Sequence, residues 1–168
     1  MSLRTFVMGQ GSFEVPDAIK YLRNVANLIW TKAVIGTVKK PAVDAQAADE
    51  TAETVIPFPE VAGTVSAVWL KAESAGLTAA ATHTATVSVY KRAAAGGSQA
   101  LVASLVTNVA GGDWTQFVKK SLALSGTAAN LDRLATDTFT YTVTKQGNGK
   151  VTPSFTLQVE VEPTVPST

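Results

Sequence analysis

The chain has 168 residues and no cysteine, a length that suits one domain and a composition that excludes disulfides and thiolate metal sites. Lys and Arg number 14 against 13 Asp and Glu, so the formal net charge of +1 gives no electrostatic reason to expect nucleic acid or an anionic membrane as a partner. Charged residues make up only 16% of the chain, and a surface with few ions to desolvate suits contact with other proteins.

The first fifty residues lack a regular pattern and are predicted to form an N-terminal arm, residues 1–50. Their opening lacks the basic region and apolar run of a signal peptide, and no run in the chain approaches the ~18 apolar residues of a membrane-spanning helix. Asp17 suits the N-cap of a short helix that ends at Trp30. Residues 33–38 are a candidate strand, and the polar, Ala-rich residues 41–50 are interpreted as a linker.

From residue 51 onward, apolar and polar side chains alternate with period two in several runs, which is typical of strands with one buried face. Glycine and proline turn signals separate these runs at the spacing of a sandwich or barrel. Residues 51–168 are therefore predicted to be an all-β, antiparallel β-sandwich domain. Further candidate strands are 53–58, 63–71, 100–108 and 114–124. The side chains expected inside the sandwich are Val87, Val89, Phe139, Tyr141, Val143, Phe155, Leu157 and Val159.

Two tryptophans lie in the candidate strands. Trp69 is inside an apolar run and is predicted to belong to the core, whereas Trp114 begins a strand and is predicted to lie in the core or at a sheet edge. The segment 114–124 breaks strict alternation after Phe117. A β-bulge around Lys119 and Lys120 would restore one buried face, and a strand exposed on both faces is the alternative.

Side chains that could carry catalysis are scarce. His83 is the only histidine, and without cysteine or a Gly-x-Ser-x-Gly segment it lacks the partners of a nucleophilic site. Glu160 and Glu162, two apart on one strand, are interpreted as its exposed face. An acidic stretch lacks the spacing of a calcium loop and is interpreted as solvated; it contains Asp44, Asp49, Glu50 and Glu53. The sequence thus predicts no enzyme activity, no catalytic residue, no metal and no cofactor.

Six segments between residues 51 and 163 carry a resemblance to a known group of proteins. They are TAETVIPFP, AGTVSAVWL, ATVSVYKR, GDWTQF, LATDTFTYTVTKQGNG and PSFTLQVEVEP, in this order. This order of strand and turn segments resembles tailed-bacteriophage capsid cement or decoration proteins with a jelly-roll β-sandwich. The resemblance implies a non-enzymatic virion structural protein, made in the host cytoplasm, that binds the capsid exterior and stabilises it.

The same resemblance implies particular partners. They are the major capsid protein and further copies of this chain, as a dimer or trimer, without nucleic acid and without a membrane. A fold alone does not settle function, so two alternatives stay open. One is another phage structural β-sandwich, such as a head fibre or a tail component. The other is a carbohydrate-binding module, which would need exposed aromatic side chains.

Large apolar side chains in the N-terminal arm are predicted to form the interface with other subunits. If the sandwich closes without the arm, these side chains would be exposed, and large exposed apolar patches mark interaction sites. The predicted interface residues are Phe6, Met8, Phe13, Ile19, Leu22, Ile29 and Trp30. The competing interpretation is that the arm adds an ordinary helix and strand to the core of the sandwich.

Overall fold

The structure is a computed structural model that describes residues 5–8, 11–14, 33–40, 50–80, 84–108, 112–146 and 152–164. Its secondary structure is dominated by strands, with a 3-10 turn at Ala94–Gly96 and a one-turn helix, α1, at Ala128–Leu131. The strands are β1 (Thr5–Met8), β2 (Gly11–Glu14), β3 (Val34–Lys40), β4 (Glu50–Ile56), β5 (Gly63–Ala72), β6 (Thr84–Arg92), β7 (Gln99–Val106), β8 (Lys119–Ser121), β9 (Ala123–Leu124), β10 (Asp132–Arg133), β11 (Thr138–Gln146) and β12 (Phe155–Pro163).

Ten of these strands form two antiparallel sheets. The first sheet has the order β10-β5-β12-β3, with β8 also paired to β5, and the second has the order β4-β11-β6-β7-β9. Strands β1 and β2 form a separate two-stranded antiparallel sheet in which Phe6 is opposite Phe13. The predicted all-β class is confirmed.

The pairing of the main strands is nested. Strand β3 pairs with β12, β4 with β11, β5 with β8, and β6 with β7. The strands from β3 to β12 therefore follow one long hairpin, folded at the β6–β7 connection and rolled so that successive pairs alternate between the two sheets. This connectivity is that of a jelly roll, and the predicted jelly-roll-like antiparallel β-sandwich is confirmed.

The core lies between the two sheets and follows the alternation in the sequence. All eight side chains that were expected inside are buried, and Phe139 and Phe155 are fully buried. Phe139 packs edge-on against Phe58, with ring centroids 5.2 Å apart, and Trp114 packs in the same way against Phe155 at 5.5 Å. Trp114, which was predicted to lie in the core or at a sheet edge, is buried in the core.

Strand β3 comes from the segment that was assigned to the arm, yet it belongs to the first sheet. It pairs with β12 along its whole length, from Val34 opposite Val161 to Lys40 opposite Phe155. Gly36 faces the interior, where a Cβ atom would collide with the ring of Phe58. For this strand the competing interpretation holds, because β3 completes the sheet beside β12. The predicted helix and the linker up to residue 49 lie outside the described residues.

The segment that follows Trp114 is not one strand. Strand β8 pairs with β5 in the first sheet, whereas β9 pairs with β7 in the second. Between them the backbone N–H of buried Leu122 donates to the carbonyl of Val68 at 2.9 Å. The parity change therefore marks a crossing between sheets, and both interpretations made from the sequence, a bulge and a doubly exposed strand, are wrong.

Candidate binding surface

A turn before β8 presents two neighbouring apolar side chains to solvent. Phe117 is 66% exposed and Val118 is 53% exposed, and together they are called the apolar tip. The φ angle of Phe117 is +62°, in the left-handed region that bulky L residues rarely adopt. An exposed aromatic side chain on unfavourable backbone is the kind of feature that gathers at functional positions.

The backbone of the apolar tip is fastened to the end of β5. The N–H of Phe117 donates to the carbonyl of Ala72 at 2.8 Å, and the side-chain amide of Gln116 donates to the carbonyl of Glu73 at 3.1 Å. Just before the turn, buried Trp114 exchanges two backbone hydrogen bonds with Leu77, at 2.8 and 2.9 Å. Because the tip is held in place, a partner that binds it loses little free energy in ordering it.

Three lysines lie in one cross-strand row beside the tip. Lys39 is opposite Thr156, Thr156 is opposite Lys71, and Lys71 is opposite Lys119. Residues directly opposite on antiparallel strands share a face, so this lysine row (Lys39, Lys71 and Lys119) lies on the outer face of the first sheet. Its last member is two residues after Phe117, which makes the row continuous with the tip.

Two carboxylates lie beside the lysine row and are less exposed to solvent than the lysines. Glu73 is 2.6 Å from Lys39, and the exposed fractions of these side chains are 24% and 70%. Glu160 is 3.3 Å from Lys119, with 22% against 52% exposed. Hydrogen bonds from Lys39 and then Thr156 lower the pKa of Glu73. Both pairs therefore present the ammonium group outward and keep the carboxylate beneath it.

The prediction that Trp69 belongs to the core is wrong. Its neighbours Val68 and Leu70 point inward, so Trp69 faces outward and is half-buried. Its indole N–H donates to Glu160 at 2.6 Å, and the ammonium of Lys119 lies 4.3 Å from the ring centroid. The hydrogen bond from Trp69, followed by that from Lys119, lowers the pKa of Glu160. Glu160 thus lies on the outer face as predicted, although it is partnered.

Glu53 also differs from its predicted solvated role. It lies in β4, where its carboxylate is 2.5 Å from an Arg92 guanidinium nitrogen. It also accepts hydrogen bonds from Gln99 and, at 3.0 Å, from the hydroxyl of Thr140. Burial alone would raise the pKa of Glu53, but these hydrogen bonds lower it. Glu53 joins β4 to the β6–β7 hairpin, so that tertiary partners replace water.

A cavity of about 270 Å³ lies at the other end of the sandwich, where the connection after β4 meets the one before β11. Arg133 lines it, buried, with its guanidinium 4.7 Å from the ring centroid of Phe58 and 5.3 Å from that of Phe139. It donates to the carbonyl of Val61 and, at 2.8 Å, to that of Asp137. Burial lowers the pKa of Arg133. These contacts make Arg133 an anchor between two connections, which the sequence analysis missed.

The predicted interface residues are only partly within the described residues. Phe6 and Met8 lie on β1 and Phe13 lies on β2. The remaining four, together with His83, lie outside the described residues; they are Ile19, Leu22, Ile29 and Trp30. The arm interface therefore stays a prediction.

No family model, curated protein or solved structure matches the chain. In the described ranges, no helix is long and apolar enough to cross a membrane. The same ranges contain no group of three or more His, Asp or Glu side chains placed to hold a metal ion.

Proposed function

We propose that the chain is a non-enzymatic virion structural protein that binds the outside of a tailed-phage capsid and stabilises it. The observation that carries the proposal is the apolar tip, an exposed aromatic side chain held on fixed backbone. The sequence resemblance supports it, because the resembling segments include the jelly-roll strands β4, β5, β6, β11 and β12. The partners proposed are the major capsid protein and further copies of this chain.

The tip has the physical properties of a docking anchor. Burying a large apolar side chain is worth ~1.5–3 kcal/mol. A few anchors of this kind supply most of the binding free energy of a protein interface, while the surrounding contacts exclude water. Phe117 fits this role because most of its side chain is exposed and its backbone is already ordered.

The variant Phe117→Gly tests this proposal. We expect its affinity for capsid shells to fall about tenfold or more, because a loss of 1.4 kcal/mol corresponds to a factor of ten. Thermal stability should stay the same or rise. Glycine removes the strain of a left-handed backbone, about 1–2 kcal/mol, and this offsets the greater entropy that glycine loses on folding, ~0.5–1 kcal/mol. The measurement is cosedimentation with shells assembled from the major capsid protein of the same phage genome, together with thermal denaturation.

A matched control lies at the opposite end of β5. Leu134 is 67% exposed, as much as Phe117, but it follows β10 rather than preceding β8. The variant Leu134→Ala should bind shells like the wild type. Equal binding by wild type and Phe117→Gly would show that the tip is not part of the interface. A wild-type chain that does not bind the shells would refute the capsid function itself.

The predicted role of the arm needs a truncation that spares β3. A chain that lacks residues 1–32 keeps every strand of the jelly roll, so we expect it to fold and to lose much of its shell binding or its oligomerisation. A chain that lacks residues 1–49 loses β3 as well, which uncovers one edge of β12 and should lower stability sharply. If the shorter deletion already unfolds the chain, the arm belongs to the core; if it binds shells at full strength, the arm is not the interface.

A carbohydrate-binding module is the second candidate, favoured by the half-buried position of Trp69 on a polar sheet face. Sugars stack on exposed aromatic rings, but Lys119 already lies over this ring. A glycan array separates the candidates: reproducible binding to one glycan class that disappears in Trp69→Ala would favour the sugar-binding role over the capsid role.

A further inference from the structure

We infer that the apolar tip and the lysine row form one docking surface, and that its partner is a protein surface with an apolar pocket bordered by Asp and Glu side chains. The inference rests on the proposed function, which it deepens by specifying the chemistry of the shell surface that receives this chain. Three observations support it: the tip adjoins the row, two lysines of the row are directly opposite each other, and Phe117 has a left-handed backbone.

Backbone contacts make the tip and the row continuous. The N–H of Phe117 bonds to Ala72, which directly follows Lys71 in β5. Lys119 begins β8 one residue after the tip and is opposite Lys71. A partner that covers Phe117 and Val118 would therefore also cover the end of the row.

The charges on this surface favour an anionic partner. Glu73 and Glu160 accept hydrogen bonds from Thr156 and Trp69 as well as from lysines, so the groups that face solvent most are the ammonium groups. Lys71 forms none of the ion pairs in the described part of the chain, although its charge also helps to lower the pKa of Glu73. Electrostatic complementarity across an interface would place carboxylates of the partner opposite this lysine and its neighbours.

Two features of the surface are unfavourable in the isolated chain. Like charges directly opposite on paired strands destabilise a sheet, and Lys71 is directly opposite Lys119. The left-handed backbone of Phe117 is the second feature. Local conflicts of this kind collect at functional sites, where a partner provides the compensating interaction. A carboxylate between the two lysines and an apolar pocket around Phe117 would supply both compensations.

An anionic membrane would also attract lysines and an apolar side chain, but the surface suits it less. Each lysine near an anionic bilayer adds only a little to the binding free energy, and stable attachment uses a large apolar face or several anchors. Here two apolar side chains stand on fixed backbone, and the whole chain has a net charge of only +1. A protein surface with a preformed pocket gains more binding free energy from a single rigid aromatic side chain than a membrane does.

The test uses the full-length chain with Lys71→Glu, Lys71→Gln, Phe117→Gly and the control Ala129→Glu. Ala129 is exposed on α1 at the opposite end of the sandwich, and its replacement by Glu changes the net charge by the same amount as Lys71→Gln. Shell binding is measured by cosedimentation at low and high salt, and folding by circular dichroism. The second probe is vesicles of phosphatidylcholine with phosphatidylserine.

We expect shell affinity to fall about tenfold for Lys71→Glu at low salt, since a close charge pair across an interface contributes strongly to affinity and the variant replaces attraction by repulsion. Lys71→Gln should lose less, and both variants should show a weaker salt dependence than wild type. Phe117→Gly should lose affinity at every salt concentration, and Ala129→Glu should not change.

Shell binding that survives Lys71→Glu while Phe117→Gly abolishes it would overturn the acidic partner surface and leave the capsid function standing. If Lys71→Glu does not fold, unchanged shell binding by Lys71→Gln, which removes the charge but keeps a polar side chain, would overturn it in the same way. If the wild type sediments with the anionic vesicles but not with shells, or with neither, both the inference and the capsid function fail.

Discussion

Replacing Phe139 by alanine is expected to lower the free energy of unfolding by about 3–5 kcal/mol. Phe139 is fully buried on β11, packs edge-on against Phe58 and lies beneath the guanidinium of Arg133. Its loss leaves a cavity where the second sheet meets the connection after β4. The total stability of a domain is about 5–15 kcal/mol, so the variant should unfold at a much lower temperature or denaturant concentration.

Urea denaturation followed by circular dichroism measures this change. The neighbouring Thr138 is exposed, so Thr138→Ala is the control and should stay within about 0.5 kcal/mol of wild type. A Phe139→Ala chain as stable as the control would show that Phe139 does not face the core.

Arg133→Met is expected to cost about 3–5 kcal/mol, although methionine fills much of the same space without a charge. The substitution removes both hydrogen bonds to the carbonyls of Val61 and Asp137 and leaves the Asp137 carboxylate without its neighbouring cation. It also removes the cation over the rings of Phe58 and Phe139. An unpaired buried acceptor costs about 1–3 kcal/mol, and the substitution deprives the buried Asp137 carbonyl and the part-buried Val61 carbonyl of this donor.

The matched comparison is Lys39→Ala, which breaks a salt bridge between Lys39 and Glu73 at the surface. That substitution should cost no more than about 1 kcal/mol, because exposed ion pairs contribute little. Chemical denaturation of the two variants side by side measures the difference. An Arg133→Met chain as stable as Lys39→Ala would mean that the buried guanidinium does not hold the two connections together. Replacing buried ion pairs by apolar residues has left other proteins equally or more stable, so this outcome is a real test.

The candidate surface could not be predicted because its parts are unremarkable in the sequence. Phe117 resembles any strand aromatic until its φ angle and exposure are known. Lys39, Lys71 and Lys119 are far apart in the chain and become neighbours only through the register of β3, β12, β5 and β8. One signal was available in the sequence, namely the parity change after Phe117, which marked irregular backbone near the tip.

The sequence by itself determined the all-β class, the inward face of β6, β11 and β12, and the poverty of chemical motifs, because side chains on a strand alternate with a period of two and this pattern is local. Only the tertiary structure decided that β3 joins the first sheet, that β8 and β9 belong to different sheets, and that Trp69 faces outward. It also placed the guanidinium of Arg133 over the rings of Phe58 and Phe139. Strand partners, registers and buried ions depend on contacts between residues distant in the chain, and period-two patterns do not record which strand lies beside which.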